Sequence, residues 1–141
     1  MFLGEAQHSL DTKGRVILPS EFRDQLADGA VVAKGLDGCL WVYPREDFEK
    51  MATELYEKAK RGNRERHAAR ALFGGAKEVV PDKQGRVPIP QALREYASLD
   101  RDVFIVGQFT HLEIWDAPRW REQMDQGAAA IRAGEGLDDF M

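Results

Sequence analysis

Few side chains in this 141-residue chain have the types and spacing that chemistry needs. His8, His67 and His111 have no paired spacing, and no CxxC, HExxH or GxSxG motif or phosphate-cradling GxxxxGK pattern occurs. They read as ordinary surface or half-buried histidines, so no metal site and no cofactor is expected. Asp11 and Asp82 could form a general acid and base. Each also lies three residues before a glycine, Gly14 or Gly85, where a carboxylate accepts turn amides and the glycine takes positive φ. The turn-shaping role is the better account, and no enzyme is expected. More demanding are the cations of those turns, Lys13 and Arg15 in DTKGR and Lys83 and Arg86 in DKQGR. Beside an exposed glycine the backbone can approach an anion, and an arginine fork can hold a phosphate or read a guanine edge through two bonds. An Asp11–Arg15 or Asp82–Arg86 ion pair that only staples each turn is the competing structural role.

Overall charge argues the other way. With 20 Lys and Arg against 24 Asp and Glu, the formal net charge is -4, which excludes a uniformly basic nucleic-acid sleeve. A single cysteine excludes a disulfide scaffold, and no apolar run approaches the ~18 residues of a membrane span. The opening MFLGEAQHSLD has no basic leader followed by an apolar run, so a cytoplasmic protein is expected. Cys39, between Gly38 and Leu40, reads as a small buried side chain. The charge is unevenly spread. Positions 45 to 77 carry nine cations and six acids, a balance of +3, whereas 78 to 141 carry seven and twelve, a balance of -5. Within 58 to 70 (KAKRGNRERHAAR) six cations meet one acid, as a solvated linker helix or an auxiliary phosphate-contacting face. Gly62 and Asn63 interrupt that run.

Both cationic turns belong to an internal repeat. A shift of 71 positions lays Phe2 on Phe73, Gly4 on Gly75, Asp11 on Asp82, Gly14 on Gly85, Arg15 on Arg86, Val16 on Val87, Pro19 on Pro90 and Arg23 on Arg94. A shift of 72 then aligns Val31 with Val103, Gly35 with Gly107, Leu40 with Leu112 and Val42 with Ile114. The chain is a tandem duplication of a module of ~70 residues, too few copies for a solenoid. Two matching turns on one body could meet a repeated DNA contact through pseudo-twofold symmetry.

Each module must position its turn with the same elements. An extended run (Gly4 to Leu10; Ala76 to Pro81) enters the turn, and a short strand (RVIL; RVPI) leaves it. Pro19 and Pro90 stand where a first helical residue would, ahead of apolar residues at i,i+4 spacing. Two apolar runs around a glycine-bearing loop then suit a β-hairpin (AVVAK with CLWVY; DVFIVG with HLEIW). Pro44 and Pro118 open a closing helix, the first amphipathic through Phe48, Met51, Ala52, Leu55 and Ala59. The result is α+β, ββαββα twice over. Halves this small bury too little alone, so one shared barrel-like core flanked by helices is expected, with apolar outer faces that support oligomers. For this mass, scaling predicts a folded surface of roughly 7,400 Å². Residues 126–141, Gly/Ala-rich and acidic at the end, are expected to form a flexible tail.

The blocks MFLGEAQHSLDTKGRVILPSEFR, GLDGCLWVYP, GGAKEVVPDKQGRVPIPQALREYA and LEIWDAPRW, in that order, resemble the MraZ family across roughly positions 1 to 125. The resemblance implies two tandem AbrB-like (SpoVT-AbrB) swapped-hairpin modules, at 1–72 and 73–125. It also implies a transcriptional regulator, of the repressor kind, of the division and cell-wall gene cluster that binds promoter repeats in double-stranded DNA sequence-specifically. A ring-shaped, octamer-like homo-oligomer and a cytoplasmic, nucleoid-associated location go with it; a membrane or a small-molecule substrate does not. The family motif falls on Asp11 and Arg15 and on Asp82 and Arg86, to which physical grounds add Lys13 and Lys83. AbrB-type folds also serve as antitoxins, which would give the tail a protein partner. Two departures stand out. Pro88 replaces a β-former, so its strand is expected at an edge or bulge. Gln84 stands where the first half has Lys13, so the two turns are expected to contribute unequally.

Overall fold

The computed structural model describes residues 1–138, so the end of the expected tail lies outside the described residues. The elements run β1 (Glu5–Ser9), β2 (Arg15–Ile17), α1 (Ser20–Leu26), β3 (Ala30–Lys34), β4 (Leu40–Pro44), α2 (Arg45–Ala59), α3 (Asn63–Gly75), β5 (Lys77–Val79), β6 (Arg86–Pro88), α4 (Gln91–Tyr96), β7 (Asp102–Gly107), β8 (Leu112–Asp116) and α5 (Ala117–Arg132). With α3 set aside as the connector, the order is ββαββα twice, as the repeat requires. The protein is α+β.

Most of the strand pairing is between the halves. A six-stranded antiparallel sheet has the order β1-β7-β8-β4-β3-β5, and β2 and β6 form a separate two-stranded ribbon. Exchanging each strand for its repeat mate (β1 with β5, β3 with β7, β4 with β8) reverses that order and leaves it unchanged, which is the signature of a pseudo-twofold axis between β4 and β8. Only the hairpins β3–β4 and β7–β8 pair inside a half. Closure into a barrel does not occur: β1 and β5 lie at opposite edges of an open sheet. These edge strands are five and three residues long, and none of the pairings joins them.

Alternation along the strands sets three layers. One face of the sheet presents Ala30, Val32, Leu40, Val42, Val103, Ile105, Leu112 and Ile114 to a single core that also holds Val16 and Leu18, Val87 and Ile89, Phe22 from α1 and Leu93 from α4. The halves share that core, as expected from their size. On the other face Tyr43 meets α2, with the Tyr43 and Phe48 rings 6.1 Å apart, while Trp41, Trp115 and Val106 cluster with Trp120 of α5 and the buried Cys39. Burial is also the main reason the Cys39 thiol is pushed well above its ordinary range.

Local details depart from the sequence reading in small ways. Pro19 and Pro90 precede the first helical residue rather than occupy it, with φ near -55° and ψ of 142° and 148°. A proline here ends the extended segment, and its missing N–H removes no helical hydrogen bond. Pro44 does the same for α2, whereas Pro118 sits inside the first turn of α5. The α5 helix runs to Arg132, so the segment from Gln126 to Arg132 is helical. Gly62 does separate α2 from α3. The accessible surface is 8975 Å², larger than the roughly 7,400 Å² that scaling gives for a compact monomer of this mass.

Candidate nucleic-acid interface

Each cationic turn is a three-residue hairpin loop closed by a glycine bulge. In the first, Gly14 N donates to Asp11 O at 3.0 Å and Asp11 N donates to Arg15 O at 2.9 Å, with Gly14 at φ 75°. In the second, Gly85 N donates to Asp82 O at 2.9 Å and Asp82 N to Arg86 O at 3.1 Å, with Gly85 at φ 79°. Positive φ at that place is the reason for the glycine.

The aspartates organise the rest. Asp11 Oδ1 accepts from the amides of Lys13 and Arg15 at 2.9 and 2.8 Å, and its Oδ2 accepts from Arg15 Nε at 2.8 Å. Asp82 repeats this with the amides of Gln84 and Arg86, both at 2.9 Å, and with Arg86 Nε at 2.7 Å. Bonds from Arg15 and Arg86 amides to these carboxylates are the leading reason both acids titrate below the ordinary value of 3.8. A carboxylate so used is a structural acceptor, and Asp11 and Asp82 each turn to their own arginine. The staple and the cation are therefore one device: Nε is spent on the aspartate, while the terminal guanidinium nitrogens of Arg15 and Arg86 have no hydrogen-bond partner among the described residues.

The ribbon decides where these groups point. Val16 pairs with Val87 and both side chains enter the core, so their neighbours Arg15, Ile17, Arg86 and Pro88 share the outward face. Arg15 lies opposite Pro88, and Arg86 lies two residues further along, about 7 Å. Ile89 N donates to Gly14 O and Leu18 N to Gly85 O, which extends the ladder past both ends of the ribbon. The bonded pairs thus alternate so that Pro88 occupies a non-hydrogen-bonded position, where a missing donor costs no ladder bond. The expectation of an edge strand holds, and no bulge is needed.

Lys13 and Lys83 are exposed, but at different turn positions: Lys83 matches Thr12, and Gln84 matches Lys13. The backbone bonds are equal, so the inequality between turns is confined to side chains. The cationic run 58–70 lies elsewhere, divided between the end of α2, a short loop and α3, in the layer across the sheet from the ribbon. His111 stacks on Tyr43 with ring centroids 4.4 Å apart, and burial lowers its pKa. Among the described residues no group of three or more His, Cys, Asp or Glu is placed to hold a metal ion, and no helix is long and apolar enough to cross a membrane.

Two arginines join the turns that motif reasoning left without a role. Arg94 of α4 packs against Gly14, and Arg23 of α1 packs against Gly85, so each turn meets an arginine from the opposite half. Both glycines are buried rather than exposed, so the expected close approach of an anion to their backbone is closed. The identity of Arg23 and Arg94 in the repeat was the available signal for their role.

Comparison with known proteins decides the family. The model described as "MraZ protein, putative antitoxin-like" matches residues 1–71 and again 72–135. The chain belongs to the MraZ family. Relatives named Transcriptional regulator MraZ include that of Salinispora arenicola, 46% identical over 99% of this chain and 92% of its own length. Those of Acetivibrio thermocellus (48% identical; 85% of this chain, 84% of the relative) and Heliobacterium modesticaldum (40%; 99% of each) agree. The two MraZ matches meet at residues 71 and 72, between the copies of the repeat.

Proposed function

We propose that the chain is a transcriptional regulator that binds double-stranded DNA through its paired turns, with Arg15 and Arg86 on phosphates or base edges and Lys13 and Lys83 adding phosphate contacts. The observation that carries this reading is the pair of matching stapled turns, each orienting an arginine whose terminal nitrogens remain available. The name Transcriptional regulator MraZ on relatives of nearly full length supports it. Family resemblance extends the proposal to sequence-specific binding of promoter repeats, to repression of the division and cell-wall cluster, and to action at the nucleoid. It also frames the cross-half strand pairing as a swapped-hairpin arrangement.

A ring-shaped homo-oligomer is part of the same proposal. Surface in excess of a compact monomer supports it, as does an apolar cleft of about 460 Å³ lined by Leu36, Met51, Leu55, Leu72 and Tyr96. Many turns on one ring would let weak single contacts add through effective concentration on repeated sites. Leu55→Glu, which places a charge in that cleft, should lower the assembly state in light scattering while the far-ultraviolet spectrum stays native.

The deciding experiment is footprinting and titration on the upstream DNA at several salt concentrations. Replacing Arg15 and Arg86 by Ala should abolish promoter binding and leave the assembly unchanged by size-exclusion chromatography. For the intact protein, log affinity should fall with log salt at a slope of about -0.9 per phosphate neutralised. Unchanged binding by the double variant, or a flat salt response, overturns the assignment.

The antitoxin-like wording of the family description supports a second reading, in which the C-terminal segment holds a protein partner. Removing the residues after Arg132, which leaves α5 whole, should then abolish a partner interaction and spare DNA binding.

A further inference from the structure

The two arginines behind the turns form a reciprocal lock. A Cβ built on Gly14 would fall within the Arg94 guanidinium, and one built on Gly85 would overlap Arg23 at Nε and Cζ. Neither arginine is an exposed cation: both are half-buried and bonded to backbone. Arg94 donates to Ile89 O at 2.5 Å, and Arg23 donates through Nε to Leu18 O at 2.9 Å. The same two residues close the circuit, because Ile89 N donates to Gly14 O at 2.9 Å and Leu18 N donates to Gly85 O at 2.8 Å. Each guanidinium therefore grips the residue that is bonded to the glycine it packs on. Arg94 belongs to the second half and Gly14 to the first; Arg23 belongs to the first and Gly85 to the second.

We infer that Arg23 and Arg94 are positioning residues that hold the DNA-contacting turn of the opposite half. Arg94 sets the geometry of residues 11–15, and Arg23 that of residues 82–86. This rests on the DNA-binding reading above for its consequence, but the lock itself is independent of DNA. Planarity makes the choice of arginine intelligible: a flat guanidinium can lie against a glycine face and still donate in its own plane, which an ammonium on a flexible stem does not reproduce. It adds to the left-handed φ that already calls for glycine at each turn, since a side chain there would have to displace the guanidinium.

The test uses Arg94→Met and Arg23→Met, which keep the length and apolar stem, with Arg94→Lys and Arg23→Lys for the case in which the methionine variants do not fold. Amide hydrogen exchange on the free protein is read first. The expected pattern is crossed: the Arg94 variant speeds exchange at Gly14 and Arg15 more than at Gly85 and Arg86, and the Arg23 variant does the reverse. Uniform loosening, or loosening confined to the mutated residue's own half, overturns the inference. Binding to upstream DNA is then titrated against salt. A positioning residue predicts at least a fivefold weaker affinity with an unchanged salt slope, whereas a shallower slope by about 0.9 would mean that the arginine itself neutralises a phosphate and would overturn the inference. A crossed exchange pattern with unchanged DNA affinity would support the lock and remove the turns from the DNA interface, so failure of the DNA-binding reading stays distinguishable.

Discussion

At the scale of the residue, Asp11 and Asp82 tie the turns to two ionised carboxylates and thereby predict a pH profile. Both carboxylates are held below their ordinary value of 3.8, chiefly by the amides of Arg15 and Arg86. A depressed folded pKa adds stability that is complete above the unfolded value and is lost as pH falls through the folded one. Amide chemical shifts of Gly14, Arg15, Gly85 and Arg86 should therefore stay constant from pH 7 down to about 4 and move only below it. A turn that opens between pH 5 and 7 would contradict the staple. Asp11→Asn retains an acceptor for the amides but loses the ion pair to Arg15 Nε. It should free the guanidinium, speed exchange at the first turn alone, and weaken DNA binding by less than Arg15→Ala does. The comparison separates what the arginine contributes by position from what it contributes by charge.

At the scale of the element, the ribbon shows what pairing adds to a strand of three residues. Such a strand has little stability of its own, and β2 and β6 persist because Val16 and Val87 are anchored in the core and the glycines at both ends accept ladder bonds from Leu18 and Ile89. Pro88 is compatible with this because its position requires no donor. Pro88→Val should accordingly change unfolding free energy by less than about 1 kcal/mol in a denaturant titration, the scale of an unfolded-state proline effect. A loss of several kcal/mol would mean that β2 and β6 pair in a different register. The parts of the fold legible in sequence were the local ones. D-x-x-G-R encodes its own turn, since every stapling bond spans four residues or fewer, and the Cys39 and Val/Ile runs carry burial in their composition. What was not legible was the destination of each strand. Nothing in EAQHS says that its partner is β7 rather than β2, and an open sheet and a closed barrel share one hydrophobic pattern. Arg23 and Arg94 were hidden for the same reason: their role is a contact with the opposite half, visible in sequence only as an identity between the repeats.

At the scale of the whole molecule, the pairing scheme predicts that neither half is an independent folding unit. Cutting between residues 72 and 73 would deprive β1 of β7, β2 of β6, β3 of β5 and β4 of β8, leaving each fragment one hairpin and an exposed half-core. A module of ~70 residues is marginal even with its core complete. The pseudo-twofold axis adds a second clause, because a fragment's missing partner has the same shape as the fragment itself. Residues 1–72 alone should thus be unfolded at low concentration, or else form a homodimer in which a second copy supplies the strands of the absent half. Mixed with residues 73–141 they should regain a cooperative transition, with a midpoint that rises with concentration as association requires. Circular dichroism and sedimentation on the same samples decide it: a folded, monomeric half would refute the shared core. Recovery on mixing would also test the reciprocal lock, since Arg94 carried by one fragment would have to order Gly14 on the other.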